Sequence, residues 1–380
     1  MKLSLLTSGR DNNFNLIRII AALLVLISHA FALSIGTGDA EPLRAGYGMT
    51  LGTIAVDIFF ITSGFLVTAS LLNRKSAVEF VWARMLRVLP ALWVMLVVTA
   101  LIVSPVLSTE PLSNYFTSHE LYSYLAKCAT LIRGVAFELP GMFEHNPYRL
   151  AVNGSLWTLP IEIKMYLILV SIWLFLKPMA ENRVMVFQWV VISTVLLAGV
   201  YIFVKYFYCL LPNSSCQLPT ILEFRANIQF IGLYYMFFTG GTFYILRDYI
   251  LLKRNIFIAI LIVNLLAFGS RHLFFATYML SLPYLLFYLA YVPKGFIRKY
   301  NNLGDYSYGI YIYAFFVEQT VADLLRPVTP LQMIAISIPV TLMLAFFSWH
   351  FLESRALKLK NTYVEFSHKM LRRFKSGRIV

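Results

Sequence analysis

The sequence predicts an all-α polytopic membrane protein of about ten transmembrane helices with both termini in the cytoplasm. Three observations carry this. Of 380 residues 59% are hydrophobic and only 13% charged, where a soluble domain has about a quarter charged. Apolar runs of bilayer-spanning length recur from end to end. The basic residues fall on one side of those runs. The net charge of +14 would suggest nucleic acid as a partner in a soluble chain; here topology explains it, and the expected surroundings are a lipid bilayer with no nucleic acid.

The spans read at 14–35, 50–72, 86–107, 156–176, 185–205, 228–247, 255–270, 272–292, 304–325 and 331–352. An even number returns the chain to its starting side. With the termini inside, inner loops and tails hold 22 of the 32 Lys and Arg and outer loops eight, residues at span edges counted with the adjoining loop; Arg18 and Lys164 lie within spans. That is the positive-inside pattern. The domain reading is a transmembrane domain over 1–355 and a basic cytoplasmic tail over 356–380, which lies on the anionic inner leaflet.

The first span, FNLIRIIAALLVLISHAFALSI, carries Arg18 and His29. Eleven residues are close to three helical turns, so both project from one face roughly 16 Å apart along the axis. Taken singly, Arg18 could snorkel to the headgroups and His29 bond a neighbouring helix. Ionisable groups sharing an intramembrane stripe point instead to a functional pathway. Ala30-Phe31-Ala32 resembles a signal cleavage site, but the apolar run continues past it.

The second span contains Asp57, Ser63 and Gly64. Asp57, counted from the outer end, falls near the depth of His29, where a carboxylate could fix the imidazole tautomer. Arg84 and Arg87 follow at i, i+3 before Pro90. They could fork a phosphate bidentately or serve as ordinary inner-side anchors. Residues 108–155 form the longest extramembrane stretch, and within it LYSYLAKCATLIRGVAFEL reads as an amphipathic helix on, or dipping into, the outer face.

The fourth span places Glu162 at the depth of His29 and Asp57, with Lys164 on a different face. Three ionisable groups at one depth on three helices predict a polar cavity open to the outside, or an interhelical hydrogen-bond cluster. Spans five to eight carry Phe, Tyr and Leu that cover lipid or pack between helices. The ninth begins at LGDYSYGIYIYAFFVE, whose tyrosines either line a cavity or anchor at the interface. Cys209 and Cys216 share an outer loop and could pair if that side is oxidising, and Cys128 stays free; the three cysteines fit no metal spacing.

The Arg18 to His29 pattern, VDIFFITSGFL, the Arg-x-x-Arg-x-x-Pro of residues 84–90, SLWTLPIEIKMY and GDYSYGIYIY together resemble the acyltransferase 3 family of integral-membrane acyltransferases, from about Asn15 to Arg355. The resemblance implies transfer of acyl groups, most often acetyl from cytoplasmic acetyl-CoA, to surface polysaccharides across the bacterial inner membrane. It implies essential roles for Arg18 and His29 and coenzyme A contacts for Arg84 and Arg87. Two departures from the family pattern, Ala314 and Phe316 where a His and a Pro are usual, and Arg355 in place of Pro after Glu353, weaken roles in the last two spans.

The expected protein is an O-acetyltransferase acting on a glycan such as O-antigen, capsule or exopolysaccharide. His29 is the general base, oriented by Asp57 or Glu162. Arg84, Arg87, Arg18 and Ser63 line the donor's path, and no metal takes part. A covalent relay through His29 or Ser63 is equally compatible with the residues. The rival class is a transporter or flippase of a lipid-linked glycan, in which the buried charges bind substrate and no bond breaks.

Overall fold

A computed structural model of the protein describes residues 1–7, 9, 11–74, 76–209 and 228–375. Among them there are helices and loops and no strands, with one isolated bridge between Lys2 and Leu251. The longer helices are α1 (Phe14–Ile35), α2 (Leu51–Arg74), α3 (Ala77–Leu107), α4 (His119–Thr130), α5 (Thr158–Phe175), α6 (Arg183–Cys209), α7 (Gln229–Ile245), α8 (Arg254–Ala267), α9 (Arg271–Tyr291), α10 (Ser307–Leu324), α11 (Pro330–Phe347) and α12 (Lys360–Lys375). Every predicted span coincides with one of these. Seven helices among the described residues are long and apolar enough to cross a membrane. Of the other three predicted spans, α7 has 17 residues and α8 has 14, short of the roughly 20 that a bilayer core demands. The third, α10, has 18 residues and is diluted by Ser307, Glu318, Gln319 and Asp323.

Helix α1 starts where the Asn12 side chain accepts from Phe14 N–H, and the Asn13 amide donates to the carbonyls of Leu289 near the end of α9 and Pro293 just beyond it. It stops at Gly36, whose φ of 93° is the left-handed cap that favours glycine. Helix α3 begins nine residues before the predicted span, because the Ser76 hydroxyl caps it by accepting from Glu79 N–H. Arg84 and Arg87 are therefore two turns inside a helix rather than at its end. Wide π-turns interrupt two helices, at Val98–Val103 and at Ser348–Glu353 directly after α11. Such turns are frequent at functional sites.

The centre of the bundle is α10, packed against α1 and α11, with all but Thr320, Asp323 and Leu324 of its residues buried. Helix α2 lies against α1 on one side and α7 on the other. The α2–α7 approach is backbone to backbone: a Cβ added to Gly64 would overlap the Phe237 carbonyl oxygen, and one added to Gly240 would overlap that of Ile61. Residues 131–153, expected outside the membrane, are irregular chain with buried stretches against α10. Side chains tie them to the helix: the Gln319 amide donates to the Tyr148 and Ala151 carbonyls, Asn146 donates back to Gln319 and Asn153 donates to the Ile312 carbonyl. Helix α4 dips alongside α3, where Trp93 donates to the Ala129 carbonyl.

Both described ends of the chain gather at one end of the bundle, called the inner end below. Met1 bonds Leu252, and Trp82 of α3 stacks on Tyr363 of α12 and donates to Ser367. The loop between α1 and α2 marks the opposite, outer end. Cys128 is buried and free; Cys216 and the Cys209 side chain lie outside the described residues, and with them the predicted pairing.

Candidate active site

At the inner end, four segments of the chain deliver charge to one point. Arg87 of α3 donates to Asp305 Oδ2 at 2.6 Å and to Glu353 Oε2 at 3.1 Å. Arg18 of α1 approaches Asp305 at 3.6 Å and donates to Ser307 Oγ at 3.3 Å. Asp305 sits just before α10, where the Ser307 hydroxyl and N–H both donate to it. Glu353 is turned inward by the π-turn after α11 and accepts from Ser348 at 2.9 Å. The Arg87 guanidinium also lies over the rings of Tyr308 and Trp349. Arg84, one turn earlier, has no carboxylate partner among the described residues. It lies 5.9 Å from the centroid of Tyr166, and its buried Nε has no hydrogen-bond partner.

Above this cluster is a narrow cavity of about 40 Å³ bounded by Arg18, Phe59, Ser63, Glu162, Ser307 and Tyr308, with Val56 and Tyr311 at its edge. Glu162 accepts from both Ser63 Oγ, at 3.2 Å, and Tyr166 Oη. The two hydroxyl oxygens lie 3.0 Å from one another. The chain enters this level through Thr158, bonded to Tyr311 Oη at 2.6 Å, and Glu162 lies one turn deeper on α5.

The outer cavity is larger, about 300 Å³, and its wall includes His29, Glu41, Arg44, Asp57, Trp157 and Gln229. It too is bounded by Val56 and Tyr311, so the two cavities meet at those side chains. Asp57 accepts from Tyr278 Oη of α9 at 2.8 Å. The His29 ring is set edge-on to Phe315 at 5.2 Å, and its Nδ1 is buried with no hydrogen-bond partner among the described residues. Glu41, in the loop over the cavity, accepts from Ser28 and pairs with Arg44. Burial pushes its carboxyl above the ordinary value, against the pull of Ser28 and Arg44.

The predicted residues thus divide into two levels. His29 and Asp57 share the outer cavity; Glu162, expected beside them, shares the inner one with Ser63 and Arg18. The cause is the dipping 131–153 stretch, which makes α5 start deep in the bundle. Ser63 lies six residues beyond Asp57 on α2, about 9 Å further in. Arg84 and Arg87, expected to act as a pair, differ: Arg87 is held by two carboxylates and Arg84 by none. Tyr166 and Asp305 lie within the motifs SLWTLPIEIKMY and GDYSYGIYIY, and Glu353 begins the departing Glu-x-Pro position, but the sequence assigns none of them a partner. Arg87 is 218 and 266 positions from its two partners, so no local spacing could reveal them. Ser307, Tyr308 and Tyr311 wall the cavities and Glu353 anchors Arg87, so the last two spans help shape this region although Ala314, Phe316 and Arg355 depart from the family pattern.

Residues 11–350 match the family model described as an acyltransferase domain, that of acyltransferase 3. The chain is 28% identical to the O-acetyl transferase of Shigella phage Sf6 over 92% of its own length and 96% of that protein's. It is 33% identical to nodulation protein 10 of Rhizobium leguminosarum bv. viciae over 44% of this chain and 46% of that one. No solved structure matches.

Proposed function

The chain belongs to the acyltransferase 3 family of membrane acyltransferases, and from that premise we propose that it is an O-acetyltransferase of the bacterial inner membrane. It moves acetyl from cytoplasmic acetyl-CoA to a hydroxyl of a surface glycan. The observation that carries this reading is the pair of cavities that meet at Val56 and Tyr311, one reaching Arg18 and the other His29. A donor with its phosphates at the inner end and its thioester near His29 must cover the three turns between Arg18 and His29, roughly 16 Å. The inner cavity at about 40 Å³ has room for one or two waters, so the donor's arm enters by moving side chains such as Phe59 aside.

In this reading Arg84, which lacks a carboxylate, and Arg18 receive donor phosphate. Arg87 contacts the donor directly only by exchanging Asp305 or Glu353 for it. The acceptor sugar occupies the outer cavity, where the flat face of Trp157 and the polar groups of Glu41, Arg44 and Gln229 suit a hydroxylated ring. Its hydroxyl oxygen bonds to the thioester carbonyl carbon as the carbon–sulfur bond breaks. The hydroxyl proton passes to His29 Nε2 and from there to the departing thiolate, so His29 ends unchanged.

The test is acetyl-CoA binding and acetyl transfer by the purified protein and its His29→Ala and Arg84→Ala variants. Transfer by His29→Ala falls by about 10²- to 10⁴-fold with donor binding kept, and Arg84→Ala binds the donor more weakly. Wild type that neither binds nor turns over acetyl-CoA overturns the reading in favour of a transporter.

A further inference from the structure

Glu318, in the middle of α10, is completely buried, and neither carboxylate oxygen has a hydrogen-bond partner among the described residues. It lines neither cavity described above. A carboxylate removed from water without a donor is costly, so its neighbours decide what it is for.

Its place follows from helix registry. Arg18 of α1 touches Ser307 of α10. Both helices run from the inner to the outer end, and eleven residues on lie His29 and Glu318 respectively. Eleven residues are about three turns, so each pair keeps its face and its depth. Contacts on either side of Glu318 agree: Phe315 meets the His29 ring, and Val321 and Ala322 pack in one cluster with Ala30 and Leu33. The other buried hydroxyls without partners near α10, Ser337 and Thr341, are on the stripe of α11 that includes Ala345. Ala345 rests on Gly309, nine residues from Glu318 and hence on the opposite side of α10.

We propose that Glu318 is the positioning residue of His29, receiving the Nδ1 proton across the α1–α10 interface so that the bare Nε2 faces the outer cavity. This deepens the acetyltransferase reading and rests on it for its catalytic meaning. Two of the buried groups without partners stand at one depth on facing helices: Nδ1 of His29 faces away from solvent, and Glu318 lies outside the cavity wall, the two not in direct hydrogen-bond contact in this structure. Of the other charged groups near His29, Asp57 is engaged by Tyr278, and Glu41 and Arg44 belong to the loop over the cavity. A histidine that must take a proton at one nitrogen gains from a carboxylate fixed at the other, which sets the tautomer and stabilises the imidazolium.

The test combines activity with the nitrogen NMR signature of His29 in protein labelled at histidine, assigned by its loss in His29→Gln. The variants are Glu318→Leu, which removes the acceptor and relieves the buried charge, and Glu318→Gln, which keeps a weaker acceptor. Wild type shows the tautomer protonated at Nδ1. Glu318→Leu loses that signature, and its turnover falls about 10²-fold with acetyl-CoA affinity within about twofold of wild type. Glu318→Gln falls between the two. An unchanged His29 signature in Glu318→Leu overturns the pairing, whatever the activity. A changed signature in a protein that does not use acetyl-CoA keeps the pairing and removes the acetyl-transfer reading instead.

Discussion

Arg84 and Arg87 share a helix face, yet the structure gives them different work. Arg87 compensates two carboxylates of which Glu353 is 2% exposed, and removing one partner of a buried ion pair leaves the others uncompensated, at about 3–5 kcal/mol. Arg87→Ala is therefore expected to melt well below wild type, measured as soluble monomer remaining after heating in detergent. Arg84→Ala should melt closer to wild type, because Arg84 forms no ion pair among the described residues and Glu162, which acts on it from a distance, is hydrogen-bonded by Ser63 and Tyr166, and lose donor affinity instead. Equal melting of the two variants would show that the Asp305 and Glu353 contacts stabilise little. Residue chemistry thus separates an anchoring arginine from an available one, a distinction that their i, i+3 spacing does not contain.

The same division runs through the helices. Helices α2 and α7 meet through Gly64 and Gly240, where the partner's carbonyl occupies the space of a side chain. Small residues that let backbones touch are a common basis of helix association in membranes. Gly64→Ala and Gly240→Ala are each expected to force the helices apart and lower stability by about 1–3 kcal/mol or more. Gly232→Ala on α7, where an added Cβ meets nothing within 4 Å, is the control and should melt with wild type. Separation of α2 from α7 also moves Asp57 and Ser63, so the glycine variants should lose transfer even where protein is recovered. The π-turn at Ser348–Glu353 is the second device at this scale: it turns Glu353 to Arg87.

For the whole molecule, the charge bias along the chain predicts which end of the bundle faces the cytoplasm. The check uses protein with Cys209 and Cys216 replaced by Ser and one new cysteine at a time, at Thr37 in the α1–α2 loop or at Asn302 just before α10. A membrane-impermeant maleimide added to intact cells should label Thr37→Cys and spare Asn302→Cys until the membrane is opened; the reverse would invert the molecule and exchange the sides of donor and acceptor. The sequence by itself determined the helical membrane class and the positions of the long apolar helices, because hydrophobic length and charge bias are local properties that survive without knowledge of neighbours. It also marked His29, Asp57, Arg18, Ser63 and Glu162 as ionisable or polar groups at membrane depth. Only the tertiary structure decided how they are grouped. The depth of Glu162 depends on how far residues 131–153 descend beside α10, the partners of Arg87 come from chain more than two hundred positions away, and the shared depth of Glu318 and His29 follows from α1 and α10 running parallel in contact. Pairing across helices is set by packing, and packing is the one term that no stretch of sequence carries alone.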